Sequence, residues 1–210
     1  MPRRRLRVRS LHKSGQPLET TKTIDEILGA LGYPTTQFDA VLVTDGSGTS
    51  VGNPTGSAVR LKQRNKSEEL LHSRSSSGTN QTAELDAVLI GLRYLSAKKA
   101  YAQTKGCRTL VVTDSQLVQR MVDGIAKDPI KLYNDSAHYD AAAALLAFAR
   151  RGFIFTVYRL SRNITPVHAG VDAASRAARL LKDPDEAYRI ASQKTPRIKK
   201  KKENGKESSE

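Results

Sequence analysis

Two short apolar runs, 40–43 (Ala-Val-Leu-Val) and 109–113 (Thr-Leu-Val-Val-Thr), most constrain what this chain can fold into. Each is too short for a helix and rich in β-branched residues, so each reads as a buried strand. Between them, residues 82–102 carry Leu85, Val88, Leu89, Leu92 and Leu95 at three- and four-residue spacings, the period of an amphipathic helix. Ahead of that helix, 58–62 alternates as a second strand, 70–73 reads as a third, and 52–56 (Gly-Asn-Pro-Thr-Gly) as a turn. Beyond 109–113, a helix from Ser115 shows Leu117, Val118, Met121, Val122 and Ile125 on one face and stops at Asp128-Pro129. An Ala-rich helix over 141–150, a strand over 153–160 and a last helix over 171–181 complete the order β-β-β-α-β-α-α-β-α. A meander followed by strand–helix–strand–helix–strand predicts an α/β fold, a five-stranded mixed sheet flanked by helices.

The 210 residues suit one domain with appendages. A short helix over 23–31, capped by Thr23 and closed by Gly32 and Pro34, ends a basic N-terminal arm, 1–37. The domain proper is 38–182, and 183–210 is a basic tail expected to be disordered. The net charge of +14 is concentrated at the ends. Residues 1–13 hold six basic residues and no acid, and 192–210 hold seven basic against three acidic. Such arms attract phosphate backbones without reading sequence, or simply keep a chain soluble. The acid-free start also fits an organelle transit peptide, and Lys199 to Lys202 a nuclear address in a eukaryotic host. A single cysteine, Cys107, excludes an internal disulfide and a cysteine-rich zinc site. It suits a reducing compartment, hence an intracellular, cytoplasmic or nucleic-acid-associated protein. No apolar run reaches the roughly 18 residues of a membrane span, and no apolar stretch follows the basic start as in a secretory signal.

Four carboxylates fall at chosen places in this layout. Asp45 follows the first strand's apolar run, Glu84 is in the first turn of the long helix, Asp114 comes straight after 111–113 at the carboxyl end of a strand, and Asp172 is in the first turn of the last helix. Strand ends and helix starts are where open α/β sheets gather functional groups. Four acids brought together require cations, and hard oxygen donors favour Mg²⁺ or Mn²⁺. On the long helix Glu84 lies about 80° from a stripe centred on Leu92 and Asp86 about 120°, at ~100° per residue, so Glu84 is the better placed. Taken singly, each acid has an ordinary alternative. Asp45-Gly46 could be a hairpin turn, Glu84 and Asp172 could complement helix dipoles, and Asp114 could cap the helix that follows it.

The motifs together resemble the type 1 ribonuclease H family. Val41 to Ser47 (Val-Leu-Val-Thr-Asp-Gly-Ser) resembles its opening TDGS strand, and Gly52-Asn53-Pro54 a turn that follows it after a slightly shorter spacer. Thr79 to Leu85 (Thr-Asn-Gln-Thr-Ala-Glu-Leu) resembles the TNNRMEL segment, Thr113-Asp114-Ser115-Gln116 the TDSQ segment, and Asp172 to Ala177 (Asp-Ala-Ala-Ser-Arg-Ala) the D-x-L-[AS]-R segment. The resemblance implies an endonuclease that hydrolyses the RNA strand of RNA–DNA hybrids with little sequence preference. Asp45, Glu84, Asp114 and Asp172 would be both catalytic and metal-binding, holding two Mg²⁺ ions about 4 Å apart, with Mn²⁺ as a substitute. One ion would activate water for in-line attack and the other stabilise the leaving 3′-oxygen, giving 5′-phosphate and 3′-hydroxyl ends. Asn53, Asn80 and Gln116 match substrate-binding positions, and backbone groups near Gly46 and Ser47 would contact 2′-hydroxyls.

The chain departs from that family in several places. It has no tryptophan and only a short connection, 125–134, where members carry a Trp-rich basic protrusion, which assigns grip on the hybrid to the basic ends. His168 lies four residues before Asp172, where the family often has Asn, rather than about ten residues before; it is kept as an auxiliary candidate that would reach the metals from a loop. Residues 1–37 lack aromatics other than Tyr33 and form no separate hybrid-binding module. His72 and His138 read as surface or core-edge residues, and Arg162-Asn163 as a phosphate contact or a solvated loop. Two alternatives stay open: a nuclease or recombinase of the same fold acting on another substrate, such as a transposase or junction resolvase, and a non-catalytic nucleic-acid-binding subunit.

Overall fold

The computed structural model describes residue 18 and residues 21–98, 106–127, 138–161 and 165–181. The basic ends, Asp128-Pro129 and Arg162-Asn163 lie outside the described residues. The elements are α1 (Ile24–Ala30), β1 (Ala40–Ser47), β2 (Asn53–Gln63), β3 (Glu68–Gly78), α2 (Asn80–Ala97) and β4 (Cys107–Thr113). They continue as α3 (Gln116–Lys127), α4 (Tyr139–Arg150), β5 (Phe153–Arg159) and α5 (Pro166–Arg179).

The five strands form one sheet in the order β3-β2-β1-β4-β5. The meander β1-β2-β3 is antiparallel, whereas β4 pairs in parallel with both β1 and β5. The sheet is therefore mixed, as the element order predicts. Its strands alternate between two apolar layers. On one face Leu42, Val59, Leu61 and Val111 pack under α2, α3 and α4 through Leu85, Leu92, Val118, Met121 and Leu145. On the other, Val41, Val43, Leu110 and Val112 pack under α1 and α5 through Ile24, Ile27, Leu28, Val167 and Val171. Each Leu or Ile so buried contributes about 1.5–3 kcal/mol, which fixes both faces of the sheet against slippage by one residue.

α1 belongs to that second layer. Thr23 caps it, its side chain accepting from Glu26 N, as the sequence predicts. The helix is tied to the meander by Ile24 N donating to Glu68 Oε1 at 2.7 Å and by a Lys62–Asp25 ion pair.

Several element starts differ from the sequence expectation. The 52–56 turn lies earlier, because β2 already begins at Asn53 and Gly56 pairs with Ser47. α2 begins at Asn80, with Thr79 in a capping box with Thr82, and α5 begins at Pro166, capped by Thr165. Glu84 and Asp172 consequently sit in second turns rather than first turns.

Candidate metal centre

The site begins with the register of two parallel strands. β1 and β4 pair from Ala40↔Thr109 to Val43↔Val112. Two residues further on, at the same level, the chain places Asp45 and Asp114. Side chains two apart share a face, so both acids leave the sheet on the side of Val43 and Val112, under α5. Asp45 lies within β1, paired with Ala58, so Asp45-Gly46 is no hairpin turn. Asp114 does not cap α3 either: Ser115 does, its Oγ accepting from Val118 N at 3.3 Å.

Two glycines bring helices onto this end of the sheet. A Cβ on Gly46 would stand 2.2 Å from Glu84 N, so α2 touches β1 beside Asp45 only because residue 46 has no side chain. A Cβ on Gly56 would stand 2.0 Å from Ser175 O, and the same holds for α5 over β2. The first contact carries Glu84, 7% exposed, to the neighbourhood of Asp45. The second lowers α5 so that His168, Asp172 and Ser175 face the acids.

Within that space one ligand atom each from Asp45, Asp114 and His168 lie within 4.8 Å of one another. His168 Nε2 is 3.7 Å from Asp114 Oδ1 and 3.9 Å from Asp45 Oδ1. Ser175, fully buried, donates to Asp45 Oδ2 at 2.6 Å. Asp172 is half-buried and accepts from Arg176 Nε at 2.9 Å. Burial pushes the Asp45 carboxyl above its usual range. The Ser175 hydrogen bond and His168 pull it back, while Asp114 and Asp172 push it further up. Asp45 is thus a carboxylate whose charge the protein alone does not fully compensate. Hard, partly desolvated oxygen donors of this kind fit a divalent cation.

The expected substrate residues ring the same end. Asn80 is exposed at the start of α2, its Oδ1 accepting from Gly48 N at 3.0 Å. Gln116 is exposed at the start of α3. Asn53 is exposed and donates to Ser50 Oγ at 2.6 Å, closing the turn between β1 and β2. Gly46 and Ser47 are buried in β1. His168, expected to act from a loop, is instead on α5 and fully buried. Ser175 was missed as a partner of Asp45; its signal was present, since it lies three residues after Asp172 and hence on the same side of a helix.

No family model matches the chain, and no curated protein does. Solved structures do. LC11-RNase H1 in complex with an RNA/DNA hybrid aligns with a TM-score of 0.52 at 18% identity, over 70% of this chain and 98% of that one. LC9-RNase H1, a type 1 RNase H with the type 2 active-site motif, aligns with a TM-score of 0.54 at 14% identity, over 73% and 77%. A foamy viral protease-reverse transcriptase in complex with double-stranded DNA aligns with a TM-score of 0.53 at 19% identity, over 70% and 97%. The likeness is one of fold: the chain has the ribonuclease H-like α/β fold, and the type 1 structures resemble it over most of their length.

Proposed function

We propose that this ribonuclease H-like chain is a metal-dependent endoribonuclease that hydrolyses the RNA strand of RNA–DNA hybrids. The observation that carries the reading is the convergence of Asp45, Asp114 and His168 at the carboxyl ends of neighbouring parallel strands. Asp45, Glu84, Asp114 and Asp172 would hold two divalent ions, Mg²⁺ or Mn²⁺. Bound there, such ions supply Lewis acidity at the scissile phosphate and an acidified water, so no nucleophilic side chain is required.

The chain's own residues would do the rest. Ser175 fixes the rotamer of Asp45 by donating to one oxygen and leaves the other facing Asp114 and His168. Asn80 and Gln116 present amides that both donate and accept, which suits minor-groove contacts. Asn80 also holds Gly48, linking its position to the strand that carries Asp45. Backbone groups at Gly46 and Ser47 would sense the 2′-hydroxyl. The basic ends of the sequence would bind phosphate non-specifically. Among the described residues no helix is long and apolar enough to cross a membrane, and an intracellular, nucleic-acid-associated setting follows from the proposed substrate.

The test is cleavage of a strand-labelled hybrid with Mg²⁺, Mn²⁺ or EDTA, in wild type and Asp114→Asn, beside duplex DNA, duplex RNA and a four-way junction. RNA-strand cutting only with metal, lost in the variant, is the expected result. Cutting of another substrate in preference would assign a nuclease of different specificity. Hybrid binding without any cutting would assign a non-catalytic binding subunit.

A further inference from the structure

We infer that His168 is itself a metal ligand, through Nε2, and that this imidazole turns the centre toward Mn²⁺ and related transition ions and away from Mg²⁺. The inference rests on the hydrolase reading only in taking the acidic site as a metal site.

His168 is fully buried, and neither ring nitrogen has a hydrogen-bond partner among the described residues. A histidine placed in a core for packing normally has at least one nitrogen satisfied, because each unsatisfied one is destabilising. Here Nε2 points at two carboxylates and hydrogen-bonds to neither: 3.7 Å and 3.9 Å exceed hydrogen-bonding distance. Those separations match another arrangement. Donors about 2.1 Å from one shared cation stand roughly 3–4 Å from each other. The three donor atoms, all within 4.8 Å of one another, are spaced to surround an ion rather than to bind each other.

The position is built rather than accidental. Thr165 caps α5 on His168 N at 3.0 Å, and Pro166 starts the helix, so the backbone at 168 is fixed. Val167 and Val171 anchor that turn in the core. Asp172, one turn on, and Ser175, two turns on, share its face. Imidazole nitrogen is a poor donor for Mg²⁺, which prefers oxygen and keeps its waters, but a good one for first-row transition ions. One imidazole among carboxylates therefore changes selectivity without abolishing divalent-ion binding.

The experiment uses the full chain stripped of metal and given one equivalent of Mn²⁺. Continuous-wave electron paramagnetic resonance counts free ion, and pulsed measurements detect nitrogen bonded directly to it. Wild type is expected to show imidazole nitrogen coupling, and His168→Gln to lose it. Mn²⁺ affinity should fall about 10–100-fold in that variant, while Mg²⁺ affinity, read by displacement, changes about threefold or less. Should His168→Gln not fold by circular dichroism, a chain with His12, His72 and His138 all changed to Gln leaves His168 as the only histidine, and the coupling should persist. Bound Mn²⁺ without nitrogen coupling, or unchanged Mn²⁺ affinity in folded His168→Gln, overturns the assignment. Hybrid cleavage measured on the same samples separates the two readings: cutting without nitrogen coupling removes only His168 as a ligand, and coupling without cutting removes only the hydrolase.

Discussion

Replacing Gly46 by alanine tests whether a bare Cα sets the distance between α2 and β1. The added Cβ would stand 2.2 Å from Glu84 N, 2.4 Å from the Ala83 carbonyl carbon and 2.8 Å from Glu84 Cα. Ordinary contact begins at 3.4 Å, so the overlap is about 1.2 Å, and it is with helix backbone rather than a side chain that could turn aside. α2 cannot tilt freely to relieve it, because Leu85, Leu92 and Leu95 along its length are all buried. Overpacking of this kind costs about 1–3 kcal/mol, and with backbone on both sides the upper end is expected, about 3 kcal/mol. Glu84 rides on the displaced turn. On the proposed function, moving the Glu84 carboxylate by about 1 Å lowers turnover on the order of 100-fold. Urea unfolding reads the first effect and single-turnover hybrid cleavage the second. Gly170→Ala on α5 is the control: nothing lies within 4 Å of its added Cβ, and alanine in a helix is favoured over glycine by about 0.5–1 kcal/mol. Wild-type stability and cleavage in Gly46→Ala would refute the reasoning, since no relaxation that keeps α2 in place removes a 2.2 Å contact.

Three further outcomes are expected. Asp45 has a raised pKa in the folded chain, chiefly from burial, so its contribution is fully favourable below the ordinary value of 3.8 and is lost as pH rises through the folded value. Asp45→Asn should therefore melt above wild type in EDTA near neutral pH, with the gap closing in acid; an equal or lower melting point at neutral pH contradicts this. Ser175→Ala removes the 2.6 Å hydrogen bond to Asp45 Oδ2 and should lower stability by about 1–3 kcal/mol in urea, against no change if the hydroxyl were idle. Cys107 is buried and its thiol is pushed up by burial, so a chromogenic disulfide should label it only on unfolding, and rapid labelling of the native chain would show the β4 end to be open.

Periodicity made the sheet legible and capping chemistry blurred its edges. The runs at 40–43 and 109–113 are β1 and β4 because their apolar residues are buried on both faces, which leaves no polar alternation to confuse with a helix. Helix starts were harder. Asn80 and Gln81 precede the first apolar position of α2, so a stripe-based reading begins it two residues late; it begins α5 five residues late, at Val171, although Val167 is already apolar and buried. The error matters for function. A first-turn Glu84 or Asp172 can be explained by the helix dipole, and a second-turn acid far less so, because the effect fades within one turn. The early part of β2 was illegible for another reason. Gly52 to Gly56 has the composition of a turn, and it is non-local pairing, Gly56 with Ser47 of β1 and Asn53, Thr55 and Gly56 with β3, that makes the stretch from Asn53 a strand.

Asp45 and Asp114 could be placed from sequence because following a short apolar strand run is a local fact. The position of His168 beside them could not, because it depends on two non-local ones. Starting α5 at 171 leaves His168 in a loop, whereas starting it at Pro166 puts His168 one turn before Asp172 on the inward face. Helix phase alone still does not bring an imidazole within 4 Å of two carboxylates. The depth of α5 does, and that depth is set on a different strand, where Gly56 admits the backbone of Ser175 to a distance at which any Cβ would clash. A glycine in β2 thus fixes how far a histidine in α5 reaches toward acids on β1 and at the end of β4. Gly56→Ala should accordingly weaken Mn²⁺ binding even though residue 56 offers no donor to a metal.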